Sequence, residues 1–266
     1  MGKKVLVDLS HPFGYGAPLW PYFEDVKIER MHYFAKSGVL SQKITTVMHC
    51  TTHTDAPGHV VQGAPYTHEV PLESFYGPGV VVDIPKKKWE LITAKDLENA
   101  TPKIEPGDIV IIHTGWHKYW GDNEKYFCES PGLGHEAGEW LVKKGVKAVG
   151  VDQQALDHPL HTAIGAHGPG PLRKDIIERY EKETGNNAKE VFAEWEPCHN
   201  LILSNGIIGW ENVGGDIAKV VGKRVKIMGF PIRWYMGDGS IVRLVAEIDE
   251  EELNDVPDRI YKYGTT

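Results

Sequence analysis

Residues 48–59 read MHCTTHTDAPGH, and this stretch constrains how the neighbouring chain folds. His49, His53 and Asp55 all occupy odd-numbered positions. In an extended strand, alternate side chains point to opposite faces, so these three would project from one side. The β-branched residues around them favour a strand over a helix. The pattern therefore predicts three polar side chains together on one face at the end of a strand.

His59 follows a Pro-Gly pair that should end the strand and turn the chain. It then arrives from a loop and need not coordinate a metal directly, which suits a role in proton transfer. A single strand histidine is usually an ordinary core or surface residue. Three histidines and an aspartate together are instead typical of a catalytic Zn or Mn site with a vacant position.

Composition narrows the class of protein. The chain has 266 residues, of which 41% are hydrophobic, and it contains no Ser/Gly linker or repeat, so we expect one domain spanning 1–266. The net charge of −8 argues against nucleic acid or an anionic membrane as partner. Three scattered cysteines do not make a disulfide framework, and no apolar run approaches the ~20 residues of a membrane span. We expect a soluble cytoplasmic protein.

Strand patterns outnumber helix patterns. Strands are predicted at 4–9, 26–31, 40–49, 79–84, 108–114 and 146–151, with a further strand entered at 198–203 and a hairpin of 225–235 with 241–248. Helices are predicted at 93–98, 134–144 and 171–184. The expected fold class is α/β, with a mixed, mostly antiparallel sheet or barrel-like sheet pair and few peripheral helices.

Segment 157–167 is a second candidate for metal ligation. It holds Asp157, His158, His161 and His167 among glycines and a proline, so its backbone should be irregular and its side chains share no predicted face. It could supply ligands. A loop that contacts substrate is the alternative interpretation.

Residues 49–59, HCTTHTDAPGH, resemble the H-x-G-T-H-x-D-x-P-x-H signature of the metal-dependent cyclase-like hydrolases, which include bacterial kynurenine formamidase and isatin hydrolase. The similarity extends over most of the chain, through segments 8–10, 114–116, 131–133, 150–152 and 199–214. It implies the swivelling β/β/α fold of that family. Thr51 departs from the signature, which has Gly at this position, so the turn between two ligands carries a side chain.

The resemblance also implies roles for individual residues. His49, His53 and Asp55 would hold one divalent metal ion, Mn or Zn. Asp55 would bridge to a second ion held by His199 and Glu211, so that the chain binds one or two ions.

The catalytic and substrate-binding residues follow from the same resemblance. His59 would transfer the proton. Trp20 matches a Trp-Pro pair of the family and would wall the substrate, and His113 stands where many relatives carry Arg. Trp116 lies in a second aromatic loop after a strand, where functional loops tend to sit.

These features predict a metal-dependent hydrolase that opens an amide, cyclic amide, imide or lactone bond of a small substrate, aromatic or not, by a metal-activated water. The narrower alternative is a kynurenine formamidase. A mononuclear cyclase or lyase, and a ligand-binding protein without catalysis, are the alternatives from other classes. The resemblance further implies a homodimer or homotetramer.

Overall fold

The computed structural model describes residues 2–121 and 123–259. In this part of the chain the strands are β1 (Lys4–Asp8), β2 (Lys27–His32), β3 (Ser41–Thr45), β4 (His53–Asp55), β5 (Tyr76–Asp83), β6 (Leu91–Ile92), β7 (Ile109–His113), β8 (Gly132–Leu133), β9 (Ala148–Val151), β10 (Ile208–Glu211), β11 (Lys223–Met228), β12 (Gly239–Ile241) and β13 (Val245–Asp249). The α-helices are α1 (Phe34–Ser37), α2 (Ala94–Asn99), α3 (Asn123–Cys128), α4 (His135–Lys144), α5 (Lys174–Thr184), α6 (Ala188–Val191) and α7 (Pro197–Ser204).

Nine of the described strands form one sheet in the order β1-β13-β11-β5-β7-β9-β10-β4-β12. The sheet contains eight pairs of neighbouring strands. The three pairs formed by β5, β7, β9 and β10 are parallel, and the other five pairs are antiparallel. Strands β2 and β3 form a separate hairpin, and β6 pairs with β8. The predicted mixed, mostly antiparallel α/β architecture is therefore confirmed.

The central strands are buried on both faces, as their continuous β-branched runs predict. Val80 and Val82 of β5 pack into a core shared with helices α2, α4 and α7, whereas Val81 packs into a second core on the opposite face. Strand β7 continues the alternation, with Val110 on the first face and Ile111 on the second. One sheet thus separates two apolar layers.

The sheet curls, because the segment after its edge strand β1 returns to the segment after β10 across the second core. Strands β1 and β10 are separated by five strands in the sheet order, yet Ser10 and Val213, just beyond them, form an antiparallel bridge. The amide of Gly214 also donates to the carbonyl of Leu9 at 2.8 Å. This closure gives the sheet the barrel-like form that the sequence predicts.

Two predicted helices have the expected ends. In α2, the Thr93 side chain accepts from the amide of Asp96 while the Asp96 side chain accepts from the amide of Thr93, a capping box. Helix α4 ends at Gly145, which adopts φ 71°.

The strand predicted at 198–203 is wrong, because this segment forms α7. Pro197 occupies the first turn of the helix, where its missing amide hydrogen costs nothing. The Asp157 carboxylate accepts from the amides of Cys198 and His199 at 2.8 and 2.9 Å, which satisfies two more free donors of that turn. The sequence signal for this cap lies some forty residues upstream.

Two further strand predictions need correction. The strand predicted at 40–49 ends at Thr45, so His49 lies on an irregular segment that precedes β4. The runs 225–235 and 241–248 do not form a simple hairpin around Gly237-Asp238-Gly239. Strand β11 does pair with β13, but β12 leaves between them to pair with β4. The Gly-Asp-Gly segment is therefore brought beside the predicted metal cluster.

The β2–β3 hairpin stands apart from the two cores. Every residue of β2 is exposed, and so are several apolar side chains of the hairpin and its connection, among them Phe34 at 71%. A two-stranded ribbon is marginally stable by itself. Its apolar side chains therefore offer a surface for contact.

Within the described chain, no helix combines the length and apolar character that crossing a bilayer requires.

Candidate metal centre

Strand β4 is short and central to the site. It lies between β10 and β12, with His53 directly opposite Glu211 and Asp55 opposite Gly209 and Gly239. His53 and Asp55 are two residues apart, so they share a face, and a cross-strand partner shares it too. The fold therefore places His53, Asp55 and Glu211 on one surface, as predicted for the first two from the sequence.

These buried side chains converge with His199 of α7. The His53 Nε2 atom lies 3.5 Å from Asp55 Oδ1 and 3.4 Å from Glu211 Oε2. The His199 Nε2 atom lies 3.5 Å from Asp55 Oδ2 and 2.9 Å from Glu211 Oε1. Two imidazoles thus face two carboxylates, and each imidazole contacts both of them.

His49 and His59 complete the cluster around Asp55. The His49 Nδ1 atom is 2.7 Å from Asp55 Oδ1, and the His49 and His59 rings are 4.1 Å apart. Potential ligand atoms within 4.8 Å of one another fall into two groups, His49-Asp55-His59 and His53-Asp55-Glu211. The structure therefore gathers all six predicted residues but groups His53 with Glu211 rather than with His49.

The donor set fits a divalent cation. His53 Nε2 and Asp55 Oδ2 are buried and form no hydrogen bond with any described residue, although both face the cluster. An unpaired buried polar atom is costly, and a cation would satisfy both atoms at once. Imidazole nitrogen and carboxylate oxygen are ligands that Zn and Mn accept. The neighbouring thiols of Cys50 and Cys198 are buried, and burial raises the pKa of both.

Each Nε2 atom is aimed by a hydrogen bond at the opposite nitrogen of its ring. His53 Nδ1 donates to the carbonyl of Thr51 at 2.8 Å, and His199 Nδ1 lies 2.6 Å from Asp157 Oδ2. Glu211 is held in turn by the amide of Leu156, which donates to its Oε1 at 2.7 Å. Such outer contacts fix the tautomer and orientation of metal-binding histidines.

Thr51 adopts a left-handed backbone, with φ 53°. This conformation costs a residue with a Cβ atom roughly 1–2 kcal/mol and is unusual for a β-branched one. The turn presents the Thr51 carbonyl to His53. The Gly of the signature would adopt the same turn without strain, so the departure changes the cost of the turn and leaves the ligand set in place.

Electrostatics in the cluster are dominated by burial and by opposite charges. Burial lowers the pKa of His53, but Asp55 and Glu211 outweigh this effect and raise the pKa to about 10. Burial also lowers the pKa of His49, but Asp238 and Asp55 outweigh this effect and raise that pKa to about 9. Burial raises the pKa of Asp55, yet hydrogen bonds from His199, His49 and His53 hold that pKa well below its usual range. Without a cation, His49 and His53 are therefore protonated at neutral pH.

The histidines of segment 157–167 do not form a second metal cluster. His158 Nε2 contacts the carbonyl of Trp89, His161 Nδ1 that of Glu194, and His167 Nε2 that of Phe192. Burial lowers the pKa of His158 to about 3, as expected for a neutral structural histidine. Within this segment, Asp157 contributes to the site by orienting His199.

A third group, His113, His117 and Asp152, also places potential ligand atoms within 4.8 Å of one another. The Asp152 carboxylate already accepts from the amides of Thr114 and Gly115, from the Thr114 hydroxyl and from His117 Nδ1. These hydrogen bonds to the Asp152 carboxylate hold the loop that follows β7, and they explain the proximity of the three residues without a metal.

A cavity of about 200 Å³ opens onto the metal cluster. Three aromatic side chains, Trp20, Phe23 and Phe127, are among its lining residues. Neither lysine nor arginine is among its described lining residues, whereas the Glu196 carboxylate is. Trp20, which is predicted to wall the substrate, lies among the residues that line this cavity.

His113 and Trp116 are predicted to bind substrate, but the structure places neither of them among the lining residues of this cavity. His113 ends β7, and β9 and β10 lie between that strand and β4, so its Nδ1 contacts Asp83 Oδ1 at 2.7 Å instead. Trp116 turns into the core, where it is 3% exposed and its Nε1 donates to the Tyr126 carbonyl. The position of a residue after a strand end does not show whether its side chain turns into the core or towards the cavity.

The sequence patterns do not predict the roles of two acidic residues near the cluster. They present Asp157 as a possible ligand and not as a partner of His199. Asp238 Oδ2 lies 2.9 Å from His49 Nε2 and 3.4 Å from His59 Nδ1, although its sequence context indicated a hairpin turn. The Gly-Asp-Gly segment is typical of a turn, so the sequence held no signal for the contact of Asp238 with the two histidines.

Comparisons with known proteins agree with this geometry. A family model described as "Cyclase: Putative cyclase" matches residues 7–158, more than half of the chain. The chain is 29% identical over 166 residues to a kynurenine formamidase from Erythrobacter litoralis, a match covering 62% of this chain and 73% of that protein. It is 25% identical over 246 residues to a kynurenine formamidase from Bacillus mycoides, covering 92% and 98%.

The fold is also similar to that of a solved enzyme. Isatin hydrolase A from Ralstonia solanacearum superposes with a TM-score of 0.72 at 22% identity, and the match covers 92% of each chain. At this identity the similarity concerns the fold.

We expect Asp157→Asn to weaken metal binding, because the amide orients His199 less strongly than the carboxylate does. The Zn²⁺ dissociation constant, measured by competition with a chelator, should rise about 10- to 100-fold. Asp152→Asn is the matched control, since Asp152 is equally buried beside a histidine outside the cluster. Equal losses in both variants, or none in Asp157→Asn, would contradict the role of Asp157.

We also expect metal binding at pH 7 to release protons. His49 and His53, with pKa values of about 9 and about 10, are protonated before a cation binds, and a cation binds only the neutral imidazole. The apparent metal affinity should therefore fall as the pH falls below about 10, the higher of these two pKa values. Calorimetric titration in two buffers of different ionisation enthalpy measures the released protons, and identical heats in both buffers would contradict the assignment.

Proposed function

The chain belongs to the cyclase family, and from this premise we propose that it is a metal-dependent hydrolase that opens C–N bonds of small amides and cyclic amides or imides, or the C–O bond of lactones. The observation that carries the proposal is the convergence of four imidazoles and two carboxylates, centred on Asp55, at the base of an aromatic cavity. Names of relatives that hydrolyse amides support the same reaction class.

Two divalent ions, Mn or Zn, best suit the ligands. His53, Glu211 and His199 would hold one ion, His49 the other, and Asp55 would serve both. The support is the division of the ligand atoms into two groups that share Asp55. The absence of a thiolate among the described ligand atoms favours borderline or hard cations over softer ones.

The chain's own residues divide the remaining work. When bound, the divalent ions supply Lewis acidity, which polarises a carbonyl group and acidifies a water molecule. His59 lines the cavity beside His49 and accepts the proton that this water loses. It then donates that proton to the leaving nitrogen or oxygen, so that no unstable anion has to depart.

The cavity wall indicates the substrate. Aromatic rings at Trp20, Phe23 and Phe127 suit a flat apolar group placed next to the scissile bond. Since neither lysine nor arginine is among the described lining residues, a carboxylate on the substrate would lack a cationic partner there. We therefore expect the group next to the scissile bond to be aromatic and uncharged or cationic.

The kynurenine formamidase alternative requires a substrate with both an ammonium and a carboxylate group. Glu196 could pair with the ammonium. A carboxylate would have to approach the metal ions instead. Comparing substrates that differ only in this charge distinguishes the two proposals.

We expect the metal-loaded protein to hydrolyse formanilide faster than its 4-carboxy derivative, with imides and lactones tested in the same panel. His59→Ala should lower kcat about 100-fold or more while both ions remain bound, because only proton transfer is lost. His49→Ala should instead release metal. Product analysis by mass spectrometry detects the added water, and metal analysis counts ions per chain.

The matched control is His135→Ala, which removes an exposed histidine that forms ion pairs outside the cavity. Full activity of His59→Ala would contradict its role. One ion per chain with no water added to any product would favour the cyclase or lyase alternative. Tight binding of the panel without turnover would favour a binding protein.

The protein forms a homodimer or homotetramer in this proposal, and the β2–β3 hairpin supplies the contact. Its support is the set of exposed apolar side chains on a ribbon that two strands alone stabilise poorly. The three buried, unpaired cysteines support the cytoplasmic location.

We expect sedimentation analysis to give a dimer or tetramer, and Phe34→Ser to shift it towards the monomer by removing an apolar contact. Leu72→Ser, which changes an equally exposed leucine outside the hairpin, is the control. A monomeric wild-type protein would contradict the proposal.

A further inference from the structure

Asp238 connects two histidines of the site through one oxygen atom. Its Oδ2 lies 2.9 Å from His49 Nε2 and 3.4 Å from His59 Nδ1. Unlike Asp55, which is 1% exposed, the Asp238 side chain is 44% exposed. It therefore approaches both rings from outside the buried cluster.

The backbone fixes Asp238 relative to the metal cluster. Its carbonyl accepts from the amide of Ala56 at 2.9 Å, and the Gly237 carbonyl accepts from the amide of Thr67 at 2.9 Å. Gly239 pairs with Asp55 in the β12–β4 ladder. Hydrogen bonds on both sides of Asp238 thus tie it to the strand that carries the central carboxylate and to the turn that carries His59.

Asp238 is placed as a partner of the histidines rather than as a ligand. The two ligand groups around Asp55 include His49 and His59 but not Asp238. At His49, the contact with Asp238 is made by Nε2, while Nδ1 faces Asp55 at 2.7 Å. A proton held on Nε2 by Asp238 leaves the Nδ1 lone pair directed at the cluster.

His59 depends on the same carboxylate. Among the described residues, Asp238 is the one that hydrogen-bonds to the His59 side chain. His59 ends a single 3₁₀ turn, Pro57–His59, and its side chain is 30% exposed. Its ring also lies 4.1 Å from the His49 ring, but Asp238 supplies its hydrogen bond. A proton held on Nδ1 leaves Nε2 free to accept a proton from within the cavity.

We propose that Asp238 is a positioning residue that holds His49 in the tautomer that ligates through Nδ1 and His59 in the tautomer that accepts a proton at Nε2. One carboxylate thereby aligns a metal ligand and the proton-transfer residue with each other. This inference rests on the proposed hydrolysis for its His59 part and on the metal centre alone for its His49 part.

The first experiment measures turnover of formanilide at saturating Zn²⁺ by the wild-type protein, Asp238→Ala and Asp238→Glu. We expect Asp238→Ala to lower kcat about 10- to 100-fold with KM nearly unchanged, because alignment and not binding is lost. Asp238→Glu, which keeps the carboxylate, should recover part of the loss. Unchanged kcat in Asp238→Ala would overturn the proposal.

The matched control is Asp83→Ala. Asp83 forms a carboxylate–imidazole pair with His113 at 2.7 Å and is 51% exposed, so it resembles Asp238 in exposure but lies outside the cavity. Its loss should leave kcat unchanged. An equal fall in both variants would show a general effect on the fold and overturn the assignment.

A double variant tests whether Asp238 acts through His59. If it does, adding Asp238→Ala to His59→Ala should cost no further kcat at saturating metal, because the group that it aligns is absent. Multiplicative losses would overturn this part of the proposal.

Metal affinity gives a readout that needs no turnover. The Zn²⁺ dissociation constant of Asp238→Ala should rise about tenfold relative to the wild type and to Asp83→Ala. If the wild-type protein does not hydrolyse formanilide, the proposed function fails for that substrate, and this measurement still decides the His49 part. An unchanged dissociation constant would overturn it.

Discussion

The structure of the site follows from the burial of one carboxylate. Asp55 is 1% exposed, and an ionised carboxylate that leaves water is strongly destabilising unless opposite charges and hydrogen bonds surround it. Three imidazoles from separate parts of the chain supply them: His49 before β4, His53 on it, and His199 on α7. The protein thus holds its ligands in place through mutual compensation of charge. The same arrangement leaves some ligand atoms without hydrogen bonds, which is where a cation is best accommodated.

The sheet provides the geometry that this compensation needs. Glu211 reaches Asp55 because β10 continues the parallel centre of the sheet and then pairs with β4. The chain beyond β9 contributes twice, through the Leu156 amide on Glu211 and through Asp157 on His199. Asp157 also caps α7, so the helix start and the orientation of a ligand depend on one side chain. A change in this segment would therefore affect fold and site together.

Local patterns predicted much of the fold, because their physical causes are local. The β-branched runs of β5 and β7 and the capping box of α2 needed no distant partner. Helix α7 was mistaken for a strand because its stabilising cap, Asp157, is remote in sequence.

Local sequence patterns predicted less of the site than of the fold. His53 and Asp55 share a face through strand periodicity alone, whereas His199 and Glu211 required the resemblance to known hydrolases, since only the folded sheet brings them near. Asp238 could not be found in this way. Its placement depends on β12 crossing to β4, and a Gly-Asp-Gly segment equally describes a simple turn.

The β2–β3 hairpin has a consequence for the behaviour of the protein in concentrated solution. An exposed ribbon has free backbone donors and acceptors along its edges, and like edges can pair into aggregates. Here Glu29 and Lys43 sit directly opposite each other and form an ion pair at 3.4 Å, and further charges alternate with the apolar side chains. Charged residues on an edge make stacking with an identical ribbon unfavourable. The sequence of the hairpin therefore discourages indiscriminate growth of the sheet although its apolar side chains are exposed.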